Sequence, residues 1–138
     1  MTPHIQVDTT TNMKEETNLF ELWESKILSK MNLFSDFQGD YSEFHITLHN
    51  ATWCPDCERE STDLLAMIKV LDKSSPKLEI IHYEDRAEYK DKKDRGQLSI
   101  HCLPTIIFHD KLQREIGRIE EQSIPSFHTV AHSLLVSS

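Results

Sequence analysis

The stretch of residues 44–71 constrains the fold most strongly, because its hydrophobic pattern changes period at a pair of cysteines. Apolar and polar side chains alternate over residues 44–48, which predicts a β-strand. Cys54 and Cys57 follow, and apolar side chains then recur every three or four positions, which predicts a helix from about Pro55 to Leu71. Proline is well accommodated in the first turn of a helix. The sequence therefore predicts a strand, a dithiol and a long helix in direct succession.

The remaining hydrophobic patterns predict helices and strands on either side of this unit. They are a helix over residues 15–34, strands over 78–83, 105–108 and 114–119, a short charged helix over 85–98 and a closing helix over 121–135. Pro125 falls in the first turn of the closing helix, where proline is tolerated. This order predicts the α/β fold class, with a central mixed sheet, a final antiparallel hairpin and helices on both faces.

The length of the chain, 138 residues, suits one domain with a core of its own. Residues 1–14 are polar, rich in threonine and without periodicity, and we interpret them as a flexible N-terminal tail. Residues 15–138 are interpreted as a single domain.

The net charge and the number of cysteines limit which binding partners and which cellular compartment are expected. A formal net charge of −8 argues against nucleic acid or an anionic membrane as the main partner. The N-terminus lacks the basic and apolar regions of a signal peptide, and no apolar run is as long as a membrane span. Three cysteines are too few for a disulfide framework. We therefore expect a cytoplasmic protein whose close cysteine pair is catalytic or metal-binding.

The position of the dithiol at the start of a helix suits redox chemistry. Cysteines three residues apart on a first helical turn lie on one side, so a disulfide can close and open without a change of fold. Free backbone N–H groups and the helix dipole stabilise a thiolate at Cys54. That thiolate can attack a substrate disulfide, and Cys57 can then resolve the mixed disulfide. Asp56 lies between the two thiols and opposes a second negative charge, which favours a reductant over an oxidant.

A structural zinc site is the alternative interpretation of the same pair. A Cys-x-x-Cys segment is a common half-site, and His49, His101 and Cys102 offer further ligands. Zinc sites usually contain a second closely spaced ligand pair, and the adjacent residues His101 and Cys102 match that spacing poorly. Redox chemistry is the favoured interpretation, so we predict no metal ligands among the site residues.

Two segments resemble the thioredoxin superfamily. Residues 51–57, Ala-Thr-Trp-Cys-Pro-Asp-Cys, resemble its active-site segment, and residues 99–105, Ser-Ile-His-Cys-Leu-Pro-Thr, resemble its cis-proline loop. The spacing of about 50 residues from dithiol to proline also resembles that of the family. Gly117 resembles the glycine that follows the family's last strand. Together these features span most of residues 15–135.

The resemblance implies a thioredoxin fold in which Pro104 is cis and lies beside Cys54. It also implies that Leu103 offers its backbone to an extended substrate segment, as a short β-augmentation. The substrate-binding residues that it implies are Trp53, Leu103, Pro104 and Gly117.

The activity that the resemblance implies is that of a thiol–disulfide oxidoreductase that reduces protein disulfides. Cys54 and Cys57 are the catalytic residues, Pro55 and Asp56 tune the dithiol, and no cofactor is expected. The expected partners are disulfide-containing proteins and an electron donor that the sequence does not identify. We expect the protein to be a monomer.

The chain departs from the family at two positions. Leu48 stands where typical thioredoxins bury an aspartate, and Ile81 or a neighbour stands where they carry a lysine. That pair assists proton transfer from the second thiol, a step left here to water or to His49. A non-catalytic thioredoxin-like module that docks extended protein segments is therefore the alternative function. Glutaredoxins share the Cys-Pro-x-Cys pattern, but with three glycines the chain lacks their glycine-rich segment, so no glutathione site is predicted.

Three further features have both a functional and a structural interpretation. Cys102, two residues before Pro104, is a candidate accessory thiol, but a partly buried small hydrophobic residue is the favoured interpretation. Trp53 is interpreted as a platform for substrate rather than as a core aromatic. Residues 84–95 mix both charge signs and are interpreted as a solvated helix face.

Overall fold

The computed structural model describes residues 18–136 and the backbone of residues 5–8. The strands are β1 (Ile5–Asp8), β2 (His45–Asn50), β3 (Lys77–His82), β4 (Thr105–His109) and β5 (Glu115–Glu120). The α-helices are α1 (Leu19–Leu22), α2 (Glu24–Lys30), α3 (Pro55–Leu71), α4 (Arg86–Asp94) and α5 (Phe127–Val136). Short 3-10 helices follow α2 at Met31–Phe34 and α3 at Asp72–Ser74.

The five strands form one mixed sheet in the order β1-β3-β2-β4-β5. β1 and β2 both run parallel to β3, which lies between them. β4 is antiparallel to β2, and β5 is antiparallel to β4. The predicted fold class, with a central mixed sheet and a final antiparallel hairpin, is confirmed, and the bounds predicted for the long helix are those of α3.

The N-terminal segment corrects one prediction, because Ile5–Asp8 form the edge strand β1 instead of part of a flexible tail. Its four residues pair in parallel with residues 78–81 of β3. The physical reason is local: apolar and polar residues alternate over residues 5–8, and β3 would otherwise leave one row of backbone N–H and C=O groups unpaired. The rest of the predicted tail lies outside the described residues.

The predicted first helix is divided at Trp23, whose backbone φ of −114° and ψ of 25° lie outside the helical region. Neither glycine nor proline marks this break in the sequence. Backbone hydrogen bonds from Trp23 N–H to the Leu19 carbonyl (3.0 Å) and from Ile27 N–H to the Trp23 carbonyl (2.9 Å) span it. The predicted apolar stripe therefore stays on one side, and Leu19, Trp23, Ile27 and Phe34 are all buried.

Two groups of buried side chains lie on the two faces of the sheet. The larger group, called the main core below, includes Ile27, Leu48, Leu64, Ile80, Phe108 and Phe127. The smaller group, called the dithiol cluster below, comprises Ala51, Cys57, Tyr83, Ile100 and Leu103, with Trp53, Cys54, Ile81, Tyr89 and Leu98 packed against it. Adjacent strand residues point to opposite faces, so Ile80 and Ile81 place the two groups on opposite sides of β3. Helices α2, α3 and α5 supply the main core, whereas α4 reaches the dithiol cluster through Tyr89, which confirms helices on both faces.

The closing helix begins later than predicted, at Phe127, so Pro125 precedes it instead of lying in its first turn. The Ile124–Pro125 peptide bond is cis. A proline disfavours the helical conformation in the residue before it, and Ser123 contacts α3 through a hydrogen bond from its hydroxyl to the buried carboxylate of Glu60. Within the described part of the chain, no helix combines the length and the apolar character that crossing a membrane requires.

Candidate functional site

The two cysteines lie together at the start of α3, as predicted. Cys54 is the N-cap residue, with extended backbone angles, and Pro55 occupies the beginning of the helix. Both cysteines are free thiols; Cys54 is half-buried, whereas the Cys57 side chain is fully buried. This asymmetry leaves Cys54 as the sulfur of the pair that a substrate can reach.

The surroundings of Cys57 favour its protonated form. Burial is the main cause that raises the pKa of the Cys57 thiol, and its hydrogen bond with Cys54 raises the pKa further. The nearby Asp56 carboxylate adds a smaller effect of the same sign, while the Ala51 N–H, 3.4 Å from the sulfur, acts in the opposite direction. Cys57 is therefore held as a thiol behind Cys54, the arrangement that a resolving thiol requires.

The proline loop lies beside the exposed thiol. The Cys54 thiol donates to the Leu103 carbonyl oxygen at a distance of 3.6 Å. Leu103 and Pro104 are both buried, and the peptide bond between them is cis. The structure thus brings the residues implied for substrate binding, Leu103 and Pro104, next to Cys54. Their role toward a substrate stays a prediction.

Trp53 is held in place from three sides. Its indole N–H donates to the Tyr83 carbonyl oxygen at 2.8 Å. Its ring centroid lies 5.7 Å from that of Tyr89, and the guanidinium of Arg86 lies 5.8 Å from the ring. The half-buried indole is therefore a fixed surface beside Cys54, whose function as a substrate platform stays a prediction.

Two tyrosines that no sequence pattern singled out, Tyr83 and Tyr89, also pack in the dithiol cluster. Tyr83 is buried, and its hydroxyl lies 2.9 Å from Nδ1 of His49. Tyr89 packs edge-on against Tyr83, with ring centroids 5.1 Å apart. The Tyr89 hydroxyl is buried and has no hydrogen-bond partner among the residues that the structure describes. Burial raises the pKa of Tyr89 to about 12, and the sulfurs of all three cysteines add to this shift.

Asp56 forms an ion pair with Arg59, a partner that the sequence pattern did not indicate. Arg59, one turn further along α3, places its guanidinium 3.0 Å from an Asp56 carboxylate oxygen. The same side chain contacts the buried carboxylate of Glu60 at 3.0 Å and the Glu121 carbonyl oxygen at 3.4 Å. The charge of Asp56 beside the dithiol is therefore partly balanced, which weakens the effect that the sequence alone predicts for it.

Gly117 lies away from the dithiol, so its predicted place in the substrate groove is corrected. It lies within β5, opposite Phe108 of β4, and faces α5. The residue that reaches the proline loop is Glu121, whose backbone N–H donates to the Pro104 carbonyl oxygen at 2.8 Å. Glu121 has a φ of 69°, a conformation that favours glycine, so the nearest glycine in the sequence, Gly117, indicates the wrong position.

Replacing Gly117 with alanine should destabilise the fold without slowing thiol exchange. A Cβ at this position would lie 2.7 and 2.8 Å from the two terminal methyl groups of Leu134. Because those methyl groups are the far end of a flexible, half-buried side chain that can turn aside, we expect a loss of no more than about 1 kcal/mol in urea unfolding. Disulfide reduction by the folded variant should equal that of the unchanged protein. A selective loss of reduction would instead reinstate Gly117 as a groove residue.

The structure also gives the surroundings of Cys102 and His101, the further ligands that a zinc site would need. Cys102 is half-buried, and its sulfur lies 3.9 Å from the Thr105 hydroxyl; burial raises the pKa of its thiol. His101 is exposed. Over residues 5–8 and 18–136, no three His, Cys, Asp or Glu side chains are grouped so that they could hold a metal ion.

The buried Cys57 predicts that the reduced protein loses stability in alkaline solution. The pKa of Cys57 is raised by folding above the value of about 8.5 for an unfolded chain. Above that pH the unfolded chain releases the thiol proton that the folded chain retains, so unfolding is favoured as the pH rises. We expect the free energy of unfolding, measured in urea with a reductant, to fall by up to about 1.4 kcal/mol per pH unit from pH 8.5 to 10. The slope should be smaller in Cys57→Ala; equal slopes would contradict the assignment.

The structure is similar to solved structures at low sequence identity. A thioredoxin h from poplar matches with a TM-score of 0.49 and 16% identity, over 96% of this chain and 96% of that protein. Mitochondrial thioredoxin 3 from Saccharomyces cerevisiae matches with a TM-score of 0.47 and 16% identity, over 97% and 95% of the two chains. A Pseudomonas aeruginosa protein of unknown function matches with a TM-score of 0.48 and 17% identity, over 86% and 71%. No family model matches the sequence, and no curated protein matches it.

The chain's own topology carries the assignment of its fold. The sheet has the strand order β1-β3-β2-β4-β5, in which β1, β2 and β3 are parallel and β4 and β5 form the final antiparallel hairpin. The dithiol lies at the start of α3, the helix that follows β2. The proline loop implied by the resemblance lies beside that dithiol. By strand order and by the position of its cysteine pair, this chain has a thioredoxin fold.

Proposed function

We propose that this chain is a thiol–disulfide oxidoreductase that reduces disulfide bonds in proteins. The observation that carries the proposal is the unequal exposure of the two thiols. Cys54 is half-buried at the start of α3, and Cys57 is fully buried one turn behind it. A reachable thiol backed by a protected one is what a two-step exchange needs, because the second thiol must not react before the first.

The reaction follows from this arrangement. The Cys54 thiolate attacks one sulfur of the substrate disulfide, a new Cys54–substrate bond forms, and the other substrate sulfur leaves as a thiolate and takes up a proton. Cys57 then loses its proton to solvent and attacks Cys54, and the second substrate sulfur leaves. The substrate gains two electrons and the dithiol becomes a disulfide. A separate donor must return the two electrons.

The partners follow from the same chemistry. The substrates are disulfide-containing proteins, which reach Cys54 across Trp53 and the proline loop. A reducing compartment such as the cytoplasm is the setting for this reaction, since the dithiol must be returned to its reduced form. We propose that the protein acts as a monomer, because one chain supplies both thiols and the loop beside them.

An insulin reduction assay with dithiothreitol tests the activity. We expect the protein to accelerate the precipitation of insulin chains far above the rate with dithiothreitol alone. Activity at the background level would refute reductase function and favour the alternative, a module that binds extended protein segments without catalysis. One observation favours that alternative: Leu48 is fully buried in the main core, so no carboxylate is available there to accept a proton.

The reduction potential tests the direction of electron flow. Equilibration in glutathione or dithiothreitol buffers, followed by alkylation and mass measurement, gives the midpoint of the Cys54–Cys57 pair. We expect a value near that of thioredoxin, about −270 mV. A midpoint near about −120 mV would identify an oxidant and would contradict the proposal.

A further inference from the structure

We propose that Tyr89 is a positioning residue whose hydroxyl donates a hydrogen bond to the thiolate of the Cys54–Cys57 pair during exchange. This proposal rests on the proposed function, because it names a group that serves the same dithiol. Three observations carry it: the location of the tyrosine ring, the absence of a partner for its hydroxyl among the described residues, and the apolar surroundings of the sulfurs.

The ring of Tyr89 is fixed at the dithiol by its neighbours. It projects from α4 and packs against the dithiol cluster, which contains Cys57 and is joined by Cys54. Its centroid lies 5.7 Å from the ring of Trp53, the residue that precedes Cys54, and 5.1 Å from the ring of Tyr83. Since Trp53 and Tyr83 are themselves joined by a hydrogen bond, the phenol has little freedom to turn away.

The hydroxyl of Tyr89 is an unusual group in a folded protein. Buried hydroxyl groups almost always have a hydrogen-bond partner, because an unpaired one loses its hydration without compensation. The hydroxyl of Tyr89 is buried and has no such partner among the described residues. The other tyrosine of the cluster contrasts with it, because the hydroxyl of Tyr83 pairs with His49 at 2.9 Å. While the dithiol is reduced and neutral, the Tyr89 hydroxyl thus keeps a free donor, which can bind a thiolate when one forms.

The dithiol produces such a charge in every turnover. A thiolate in apolar surroundings is costly to form, and a hydrogen bond to the charged form lowers that cost. Burial keeps the phenol protonated, since it raises the pKa of Tyr89 to about 12. Tyr89 and Cys54 pack against the same buried cluster, to which Cys57 belongs, so the phenol lies beside the dithiol. The group is therefore a hydrogen-bond donor throughout the working pH range and never the base.

The chemical step balances without a proton from Tyr89. In the resolving step, the thiol proton of Cys57 passes to solvent, its sulfur attacks Cys54, and the substrate leaves as a thiolate that solvent protonates. The Cys54–Cys57 bond forms as the Cys54–substrate bond breaks. The phenol keeps its proton and forms a hydrogen bond, which the neutral dithiol lacks, to whichever sulfur of the pair carries the charge.

The test compares Tyr89→Phe with the unchanged protein by thiol alkylation as a function of pH, with each cysteine measured separately by mass spectrometry. We expect the alkylation midpoint of the Cys54–Cys57 pair to rise by about one pH unit, which corresponds to about a tenfold smaller thiolate fraction at neutral pH. Because alkylation needs no substrate, this result is independent of whether the protein reduces disulfides. A flat insulin assay with a shifted midpoint would refute the proposed function alone.

The melting temperature of Tyr89→Phe distinguishes a role at the dithiol from a purely structural role of the hydroxyl. Tyr89→Phe removes an unpaired buried hydroxyl, so its melting temperature should be equal to or above that of the unchanged protein. Tyr41→Phe is the matched control, because it removes a hydroxyl that is bonded to the Gln38 carbonyl at 3.0 Å, far from the dithiol. The control should lower the melting temperature and leave all three alkylation midpoints unchanged. An unchanged midpoint at Cys54 and Cys57 in Tyr89→Phe, or a shift confined to Cys102, would overturn the proposal.

Discussion

Replacing Cys54 with serine should reduce disulfide reduction to the uncatalysed background, a loss of at least about a hundredfold. A hydroxyl at this position cannot form the mixed disulfide with which the exchange begins. Cys57 cannot substitute, because it is fully buried and its raised pKa keeps it protonated. The insulin assay measures the loss, and urea unfolding of the variant verifies that the fold is intact. Full activity in Cys54→Ser would refute the assignment of the nucleophile.

The matched variant Cys57→Ser should behave differently. It keeps the reachable thiol but lacks the thiol that resolves the mixed disulfide, so it should accumulate covalent complexes with substrate proteins. Those complexes should dissolve on addition of dithiothreitol and should be visible by non-reducing electrophoresis. Cys54→Ser is the control, and when treated in the same way it should form no covalent complexes through the remaining thiol of the pair, Cys57. Equal trapping by both variants would point to the third thiol, Cys102, as the reactive group.

Truncating Phe108 to alanine should cost about 3–5 kcal/mol of unfolding free energy, a large part of the 5–15 kcal/mol that is typical of a domain. Phe108 is fully buried near the end of β4, with its ring centroid 6.4 Å from that of Phe127 on α5. Its removal leaves a cavity where the sheet meets the helix. The measurement is urea unfolding followed by circular dichroism.

Leu112→Ala is the control for that truncation. Leu112 lies in the turn between β4 and β5 and is 62% exposed, so its truncation should change stability by less than about 0.5 kcal/mol. A loss below about 1 kcal/mol for Phe108→Ala would mean that α5 moves to fill the space, and that the contact between sheet and helix is looser than the structure describes.

Patterns within a short stretch of chain allowed most of the fold to be predicted. The bounds of α3 follow from apolar residues at helical spacing and from Pro55, both of which act over a few residues. The buried strand after Pro104 was also predictable, because its β-rich apolar run, Thr-Ile-Ile-Phe, has few alternatives. The division at Trp23 was not, since hydrogen bonds continue through it and neither glycine nor proline marks it.

The candidate site was predictable only where the chemistry is local. The pair Cys54 and Cys57 could be recognised from spacing alone, but Tyr89 lies in a charged run that is typical of a solvated helix face. Its burial depends on contacts with Trp53 and Tyr83, which only the folded chain brings together. The left-handed conformation of Glu121 was equally hidden, because glycine is the usual signal for it.

The edge strand β1 has a consequence for how the protein behaves at high concentration. Ile5–Asp8 occupy the backbone groups along one side of β3, a strand that contains Leu78, Ile80 and Ile81. An apolar strand with an uncovered side is a template for pairing with another molecule, the step that begins aggregation. The opposite edge, β5, carries Glu115, Arg118 and Glu120, and such charges discourage pairing on that side. The open edge on this side is instead β1, which is only four residues long and therefore offers a second molecule few backbone groups to pair with, so this short strand lowers the tendency to self-associate.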